Sequence, residues 1–176
     1  MTTTLSRRGR GAQALTFAAA AEAHLDDVLG YLVYMTGDRH LADDLTAATF
    51  EKALRLWRRF DPRRASARTW LCQIARTVAL DHFRSEQRRR GRERVYAARE
   101  GGDEREEQFM EGLSPRLERA LRGLSAGERE VIALRVLLEL DGPTAARVLG
   151  ISPTACSTRL SRALQRLEER MTDDPD

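Results

Sequence analysis

Apolar residues along the chain recur in steps of three and four, the spacing of amphipathic helices, and they do so in two separate regions. In the first region, Leu25, Val28, Leu29, Leu32 and Met35 mark one helix, and Gly37-Asp38 supplies its stop. Leu41 and Leu45 open a second helix that continues through Phe50, Leu54 and Trp57 until Asp61-Pro62 ends it. A basic loop over 62 to 67 follows, and Ser66 is the cap candidate for a third helix. That helix carries Trp70, Leu71, Ile74, Ala75, Val78 and His82 on one face and leaves Gln73, Arg76, Thr77 and Arg84 elsewhere, so it has a core side and a polar, basic side. From Ser85 to about Ser114 the apolar spacing breaks down, and Gly91, Gly101, Gly102 and Gly112 interrupt any long helix.

The second region begins at Pro115 with Leu117, Ala120, Leu121 and Leu124, and Ser125 caps a helix bearing Val131, Leu134 and Leu138. Asp141-Gly142-Pro143 breaks the chain and starts a short helix with Ala145, Val148 and Leu149. Gly150 provides a turn, and Ser152-Pro153 opens a last helix whose buried stripe is Cys156, Leu160, Ala163, Leu167 and Met171. No period-two stretch of any length appears, so the fold class is all-α, with two small helical domains joined by a flexible charged linker. The expected boundaries are a flexible leader at 1–21, a first domain at 22–90, the linker at 91–113, a second domain at 114–171 and an acidic tail at 172–176.

A hydrophobic fraction of 41% with 32% charged residues describes a chain that can bury a core in water. No apolar run approaches the roughly 18 residues that cross a bilayer, and the start lacks a signal-peptide pattern; a cytoplasmic protein without membrane insertion is expected. Cys72 and Cys156 each fall inside an apolar helical pattern, which excludes a disulfide scaffold, and His24, His40 and His82 have no metal-ligand spacing with them. Neither metal nor cofactor is expected.

Charge in sequence order says more than the net +3. Residues 22 to 54 hold two basic and seven acidic side chains, whereas 55 to 99 hold fourteen arginines and four acids. Residues 101 to 118 are acidic again, and Lys52 is the only lysine. Clustered arginines of this kind suit a polyanion, because each neutralised phosphate releases counterions; a solvated helix face beside a charged linker is the plainer alternative.

A short helix, a glycine turn and a longer helix opening on Ser-Pro form the grammar of a helix-turn-helix, whose second helix enters the DNA major groove. No acidic residue interrupts 152 to 166, and Ser157, Thr158, Ser161, Arg162, Gln165 and Arg166 occupy exposed positions with Arg159 at the boundary. Arg and Gln pair bidentately with base edges and Ser and Thr reach phosphates, although an ordinary helical hairpin has a similar pattern. On the third helix, Trp70, His82 and Phe83 lie among arginines and suit stacking on unpaired bases, with Trp70 reading first as core. Asp43 and Asp44 head the second helix, where carboxylates suit the positive dipole end or a basic partner. No nucleophile-base spacing, phosphate-cradling loop or apolar carboxylate pair points to catalysis, so no enzyme is expected.

Two stretches together resemble the extracytoplasmic-function class of bacterial RNA polymerase sigma factors, within the sigma-70 family. The stretch from His24 to about Arg90 resembles region 2 through Thr36-Gly37-Asp38, Ala42-Asp43-Asp44-Leu45, Thr49-Phe50, Thr69-Trp70-Leu71, Ile74-Ala75-Arg76 and Leu80-Asp81-His82-Phe83-Arg84. The stretch from about Leu113 to Met171 resembles region 4 through Leu124-Ser125, Glu128-Arg129-Glu130-Val131-Ile132, Leu134-Arg135, Leu149-Gly150-Ile151-Ser152 and Arg159-Leu160-Ser161-Arg162-Ala163.

The resemblance implies a factor that binds core RNA polymerase, through the beta-prime clamp helices and the beta subunit, and recognises promoter DNA; an anti-sigma factor is a further partner of such proteins. It assigns polymerase binding to Asp43, Asp44, Leu45 and Phe50. The minus-ten element falls to Arg64, Arg68, Gln73, Arg76, Thr77 and Arg84, and the minus-thirty-five element to Ser157, Thr158, Arg159 and Arg162. The chain departs from the family pattern at Ala47-Ala48, Thr77 and Ala155-Cys156-Ser157. A helix-turn-helix regulator that binds operators without polymerase is the alternative from another class, distinguished by having no need of residues 24 to 84; a sigma-like decoy for an anti-sigma factor is a third.

Overall fold

A computed structural model describes residues 16–96 and 113–172, with side chains placed for 16–89 and 113–172. The described residues form seven α-helices and no strand: α1 (Phe17–Thr36), α2 (Arg39–Leu56), α3 (Ala67–Tyr96), α4 (Pro115–Arg122), α5 (Ala126–Ile132), α6 (Gly142–Leu149) and α7 (Pro153–Thr172). The expected leader up to residue 15, the linker over 97–112 and the tail from 173 lie outside the described residues.

Local chemistry sets most helix ends. Gly37 takes φ 73° at the close of α1, a left-handed geometry that glycine adopts without a Cβ clash, and Asp38 then caps α2 by accepting from the Leu41 N–H. Ser66 accepts from the Thr69 N–H at the start of α3, and Ser114 from the Leu117 N–H at the start of α4, with Pro115 in the first turn. Ser125 and Glu128 form a reciprocal capping box on α5.

The first lobe is a three-helix unit of α1, α2 and α3 around Val28, Leu32, Leu45, Leu71 and Ala75. One end is closed by an aromatic cluster: Trp57 stacks on Phe60 at 4.8 Å and meets Trp70 edge-on at 5.7 Å, while Phe17 meets Trp57 at 5.5 Å. Phe17 explains why α1 starts inside the stretch expected to be leader: its ring needs the helix to reach the cluster. Helix α3 also runs beyond Ser85, where apolar spacing ends, as a polar arm laced by an Arg89–Glu86 ion pair at 3.0 Å.

The second lobe packs α4 to α7 around Leu121, Leu124, Val131, Leu134, Leu138, Ala145, Leu149, Cys156 and Ala163. Helix α5 does not continue to Leu138 as one regular helix. It widens into a π turn over Ala133–Leu137, in which the Leu138 N–H donates to the Ala133 carbonyl, and Glu139 follows at φ 50°. Arg135 reaches across this exit to the Leu140 carbonyl.

The lobes touch along α1, which packs on α5 and the π turn, and where α3 meets α6. Gly30 lets Leu137 approach: a Cβ there would stand 3.2 Å from Leu137 Cδ2. Buried apolar residues of both lobes run together into one core, and a few polar groups also bond across the seam. Tyr31, fully buried, donates to Glu130 Oε1 at 2.8 Å, and Arg76 Nε donates to the same oxygen at 2.8 Å.

Candidate nucleic-acid interface

The helix-turn-helix is built from short-range hydrogen bonds. Asp141 caps α6, accepting from the Thr144 N–H at 2.8 Å and the Thr144 hydroxyl at 2.9 Å. These bonds, the backbone one first, hold the Asp141 carboxyl below its ordinary range. At the other end of α6 the Ile151 N–H donates to the Ala146 carbonyl and the Gly150 N–H to that of Arg147, the Schellman pattern, with Gly150 at φ 67°. Ser152 then accepts from the Ala155 N–H and starts α7.

Cys156 and Ala163 anchor α7 in the core, so its remaining faces turn outward. Ser157, Thr158 and Arg162 are exposed, whereas Arg159 is half-buried beside Gly127. A groove between the start of α5 and α7 is lined by Ser125, Gly127, Glu128, Ser152, Thr154, Ala155, Thr158, Arg159, Arg162 and Arg166. Arg166 donates to Glu128 Oε1 at 2.6 Å. Burial pushes the Glu128 carboxyl up, but the Ser125 hydrogen bonds and the Arg166 charge outweigh it, leaving a lowered pKa and a fixed anion under the groove. The four residues expected to read duplex DNA thus share one helix, three of them exposed and one half-buried at its edge.

In the first lobe the six expected minus-ten residues do not share one face. Gln73, Thr77 and Arg84, at four- and seven-residue steps, form an outer stripe of α3. Arg64 is exposed in the preceding turn, where the Asp61 carboxylate accepts from the Arg63 N–H. Arg68 turns away toward α1, its Nε 3.0 Å from Asp27 Oδ2 in an ion pair lacking hydrogen-bond alignment. Arg76 turns toward the second lobe and Glu130. The outer stripe therefore holds three of the six, the loop one, and two are engaged elsewhere.

The expected polymerase-binding residues divide similarly. Asp43 and Asp44 are exposed on α2, with Asp43 3.4 Å from Arg39. Leu45, by contrast, is 5% exposed in the core, and Phe50 packs against Phe17 at 6.5 Å. Leu54 is the apolar side chain on the outer face, 58% exposed and on the same side of α2 as Asp43, Ala47 and Glu51.

Sequence reasoning gave no individual role to Arg129 or Glu130, which join the lobes. A signal existed: Glu130 sits four residues before Leu134 on the apolar stripe of α5, where an acid needs a buried partner. Trp70 is part of the aromatic cluster, and Cys72 and Cys156 are buried free thiols; burial pushes Cys72 up to about 12. No helix among the described residues is long and apolar enough to cross a membrane.

Comparison with known proteins fits this geometry. The family model described as Sigma-70 region 2 matches residues 20–89, and that described as Sigma-70, region 4 matches 114–167. The chain is 34% identical to the ECF RNA polymerase sigma factor SigC of Mycobacterium tuberculosis, over 91% of this chain and 84% of that protein. It is 32% identical to the ECF RNA polymerase sigma factor BldN of Streptomyces coelicolor over 97% of its own length, and spans 66% of BldN. Among solved structures, it matches the co-crystal structure of the sigma factor RpoE in complex with the anti-sigma factor NepR from Bartonella quintana with a TM-score of 0.69 at 26% identity, covering 90% of this chain and 98% of that one.

Proposed function

The chain belongs to the extracytoplasmic-function class of RNA polymerase sigma factors, and on that premise we propose that it joins core RNA polymerase and directs initiation at promoters whose minus-ten and minus-thirty-five elements its two lobes read. The exposed face of α2, with Asp43, Asp44, Ala47, Glu51 and Leu54, docks on the beta-prime clamp helices: its carboxylates match a basic partner and Leu54 supplies an apolar anchor. Leu45 and Phe50 support that helix from the core. The outer stripe Gln73, Thr77 and Arg84, with Arg64 in the preceding turn, meets the minus-ten element. Helix α7 enters the major groove at the minus-thirty-five element, where Ser157, Thr158 and Arg162 contact the DNA and Arg159 steadies the edge.

The observation that carries this reading is the outer surface of α7 over its first fourteen residues, 153–166, which holds no acidic side chain, in a helix-turn-helix fixed by the Asp141 cap and the Gly150 turn. The chain acts by binding, without covalent chemistry of its own, and works in the cytoplasm beside the polymerase. An anti-sigma factor is a further partner, a reading supported by the likeness to RpoE.

Run-off transcription with purified core polymerase on a randomised promoter library tests the proposal. Enrichment of one two-part promoter, dependent on both chain and polymerase, is expected. Specific footprints by the chain alone, unchanged by polymerase, would identify an operator-binding regulator instead.

A further inference from the structure

We propose that Glu128 is a positioning residue that sharpens promoter specificity: it engages Arg166 on α7, so that this guanidinium adds no sequence-blind phosphate contact to the helix that reads the minus-thirty-five element. The inference rests on the promoter-reading function above and deepens it.

Thr158, Arg162 and Arg166 stand four residues apart on α7 and line one side of the groove against α5. Arg166 lies about 6 Å beyond Arg162 along the helix axis. A recognition helix meets base edges through its N-terminal part, so an arginine further along is placed for the backbone, where a contact carries no sequence information. Arg162 is exposed, whereas Arg166 is turned onto Glu128, a terminal nitrogen 2.6 Å from Oε1. Arg170, one turn further on, lies against Gly123 at the end of α4.

An ion pair at a surface commonly contributes little, because two long side chains must be ordered to make it. Here one partner is ordered in advance. Glu128 has 11% of its side chain exposed against 61% for Arg166, and its Oε2 accepts from the Ser125 N–H at 2.9 Å and the Ser125 hydroxyl at 2.7 Å. Oε1 is left for Arg166. Burial raises this carboxyl, yet the Ser125 bonds and the Arg166 charge hold it below its ordinary range, so it is an anion at neutral pH. Glu128 is also the one acid among the described residues that line the groove, and it repels a phosphate from the place where it attracts the arginine. The effect differs between DNA sequences. On a promoter, base contacts fix the register and decide which phosphates lie near; on random duplex the protein settles where backbone contacts are best. A freed Arg166 therefore strengthens random binding more than promoter binding.

The full chain, free of polymerase, is titrated with a dye-labelled mixed-sequence duplex across a salt series and read by fluorescence anisotropy. Glu128→Gln keeps a capping-box side chain without its charge, so the fold should survive, as circular dichroism verifies. It should tighten binding by about tenfold at low salt and steepen the slope of log affinity against log salt by about 0.9, the mark of one further phosphate. Both gains should vanish in the Arg166→Ala background. Gains that persist there would reflect the lost anion alone and overturn the proposal, as would an unchanged slope in Glu128→Gln. Arg166→Ala by itself should leave the wild-type slope intact, and it decides the matter if Glu128→Gln is unstable: a slope reduced by about 0.9 would mean that Arg166 already holds a phosphate. With core polymerase bound, competition between the promoter enriched by run-off selection and the mixed-sequence duplex should show the preference for the promoter falling by about threefold or more in Glu128→Gln. An equal gain on both duplexes overturns the specificity role. Run-off transcription by the wild-type chain reports separately: its failure sinks the proposed function, whereas the salt series on mixed-sequence duplex addresses only the hold of Glu128 on Arg166.

Discussion

Arg129, on the second lobe, completes a helix that belongs to the first: its Nε donates to the Tyr34 carbonyl at 2.9 Å and a terminal nitrogen reaches Met35 at 3.4 Å, in the last turn of α1. The last carbonyls of a helix point beyond its own amide ladder, and a cation is the favoured group at that end. The same guanidinium donates to the Leu124 carbonyl at 2.6 Å, so three acceptors share one planar fork. Arg129→Ala is expected to cost about 1.5 to 3 kcal/mol in urea unfolding. Arg129→Lys should recover less than half of it, since an ammonium cannot span the three carbonyls. Full recovery by lysine would reduce the role to charge alone.

Gly150 should tolerate no side chain without loss. Nothing stands within 4 Å of a Cβ built there, so the penalty is conformational and not steric. Gly150→Ala should lower stability by about 1 kcal/mol, and Gly150→Asn by less, because asparagine accepts the left-handed region more readily. Thermal melts of the two variants give the comparison.

The two sides of α2 should separate in mutagenesis. Leu45→Ala is expected to cost about 2 to 5 kcal/mol by opening the core. Asp44→Arg and Leu54→Ala should shift stability by under about 0.5 kcal/mol while weakening capture by immobilised core polymerase. Equal loss of capture in Leu45→Ala at full foldedness would show that docking reaches deeper than the exposed face.

On α7, Arg162→Ala should behave as the loss of either a phosphate or a base contact, and the salt dependence tells which. A phosphate contact lowers the slope of log affinity against log salt by about 0.9 and weakens all promoter sequences alike. A bidentate base contact costs about 1 to 3 kcal/mol at one position and leaves the slope nearly intact. Normal initiation by the variant on every promoter would remove this arginine from the interface.

Acid should weaken the second lobe through Asp141. Its folded-state carboxyl is depressed, so its contribution is complete above the ordinary carboxylate range and is lost as pH falls through the lower folded value. Asp141→Asn keeps a capping side chain but cannot titrate, and should flatten the stability profile below about pH 4. An unchanged acid limb would assign it to other groups, Glu128 first among them.

Helix boundaries were legible wherever a cap lies next to the residue it serves. Ser66, Ser125, Asp141, Gly150 and Ser152 all act within five positions, a range that spacing alone reveals. Helical periodicity also found the core stripe of α7. It did not distinguish Leu45 and Phe50, which face inward, from Asp43 and Asp44 beside them, because a family motif mixes docking and supporting residues in one string. Arg68 and Arg76 read as DNA ligands since their partners, Asp27 and Glu130, are 41 and 54 residues away in sequence, and no local rule pairs them. The π turn escaped for a related reason: its wide hydrogen bonds leave the apolar spacing of Val131, Leu134 and Leu138 unchanged.

The aromatic cluster gives the two lobes different optical identities. Both tryptophans, Trp57 and Trp70, sit 5.7 Å apart in the first lobe, and residues 113 to 172 contain neither tryptophan nor tyrosine. Indole emission thus reports the unfolding of one half of the molecule, whereas the far-ultraviolet ellipticity sums both. Coincident transitions by the two signals would mean that the seam makes the lobes melt as a unit, and a lag between them would measure how loosely it couples them.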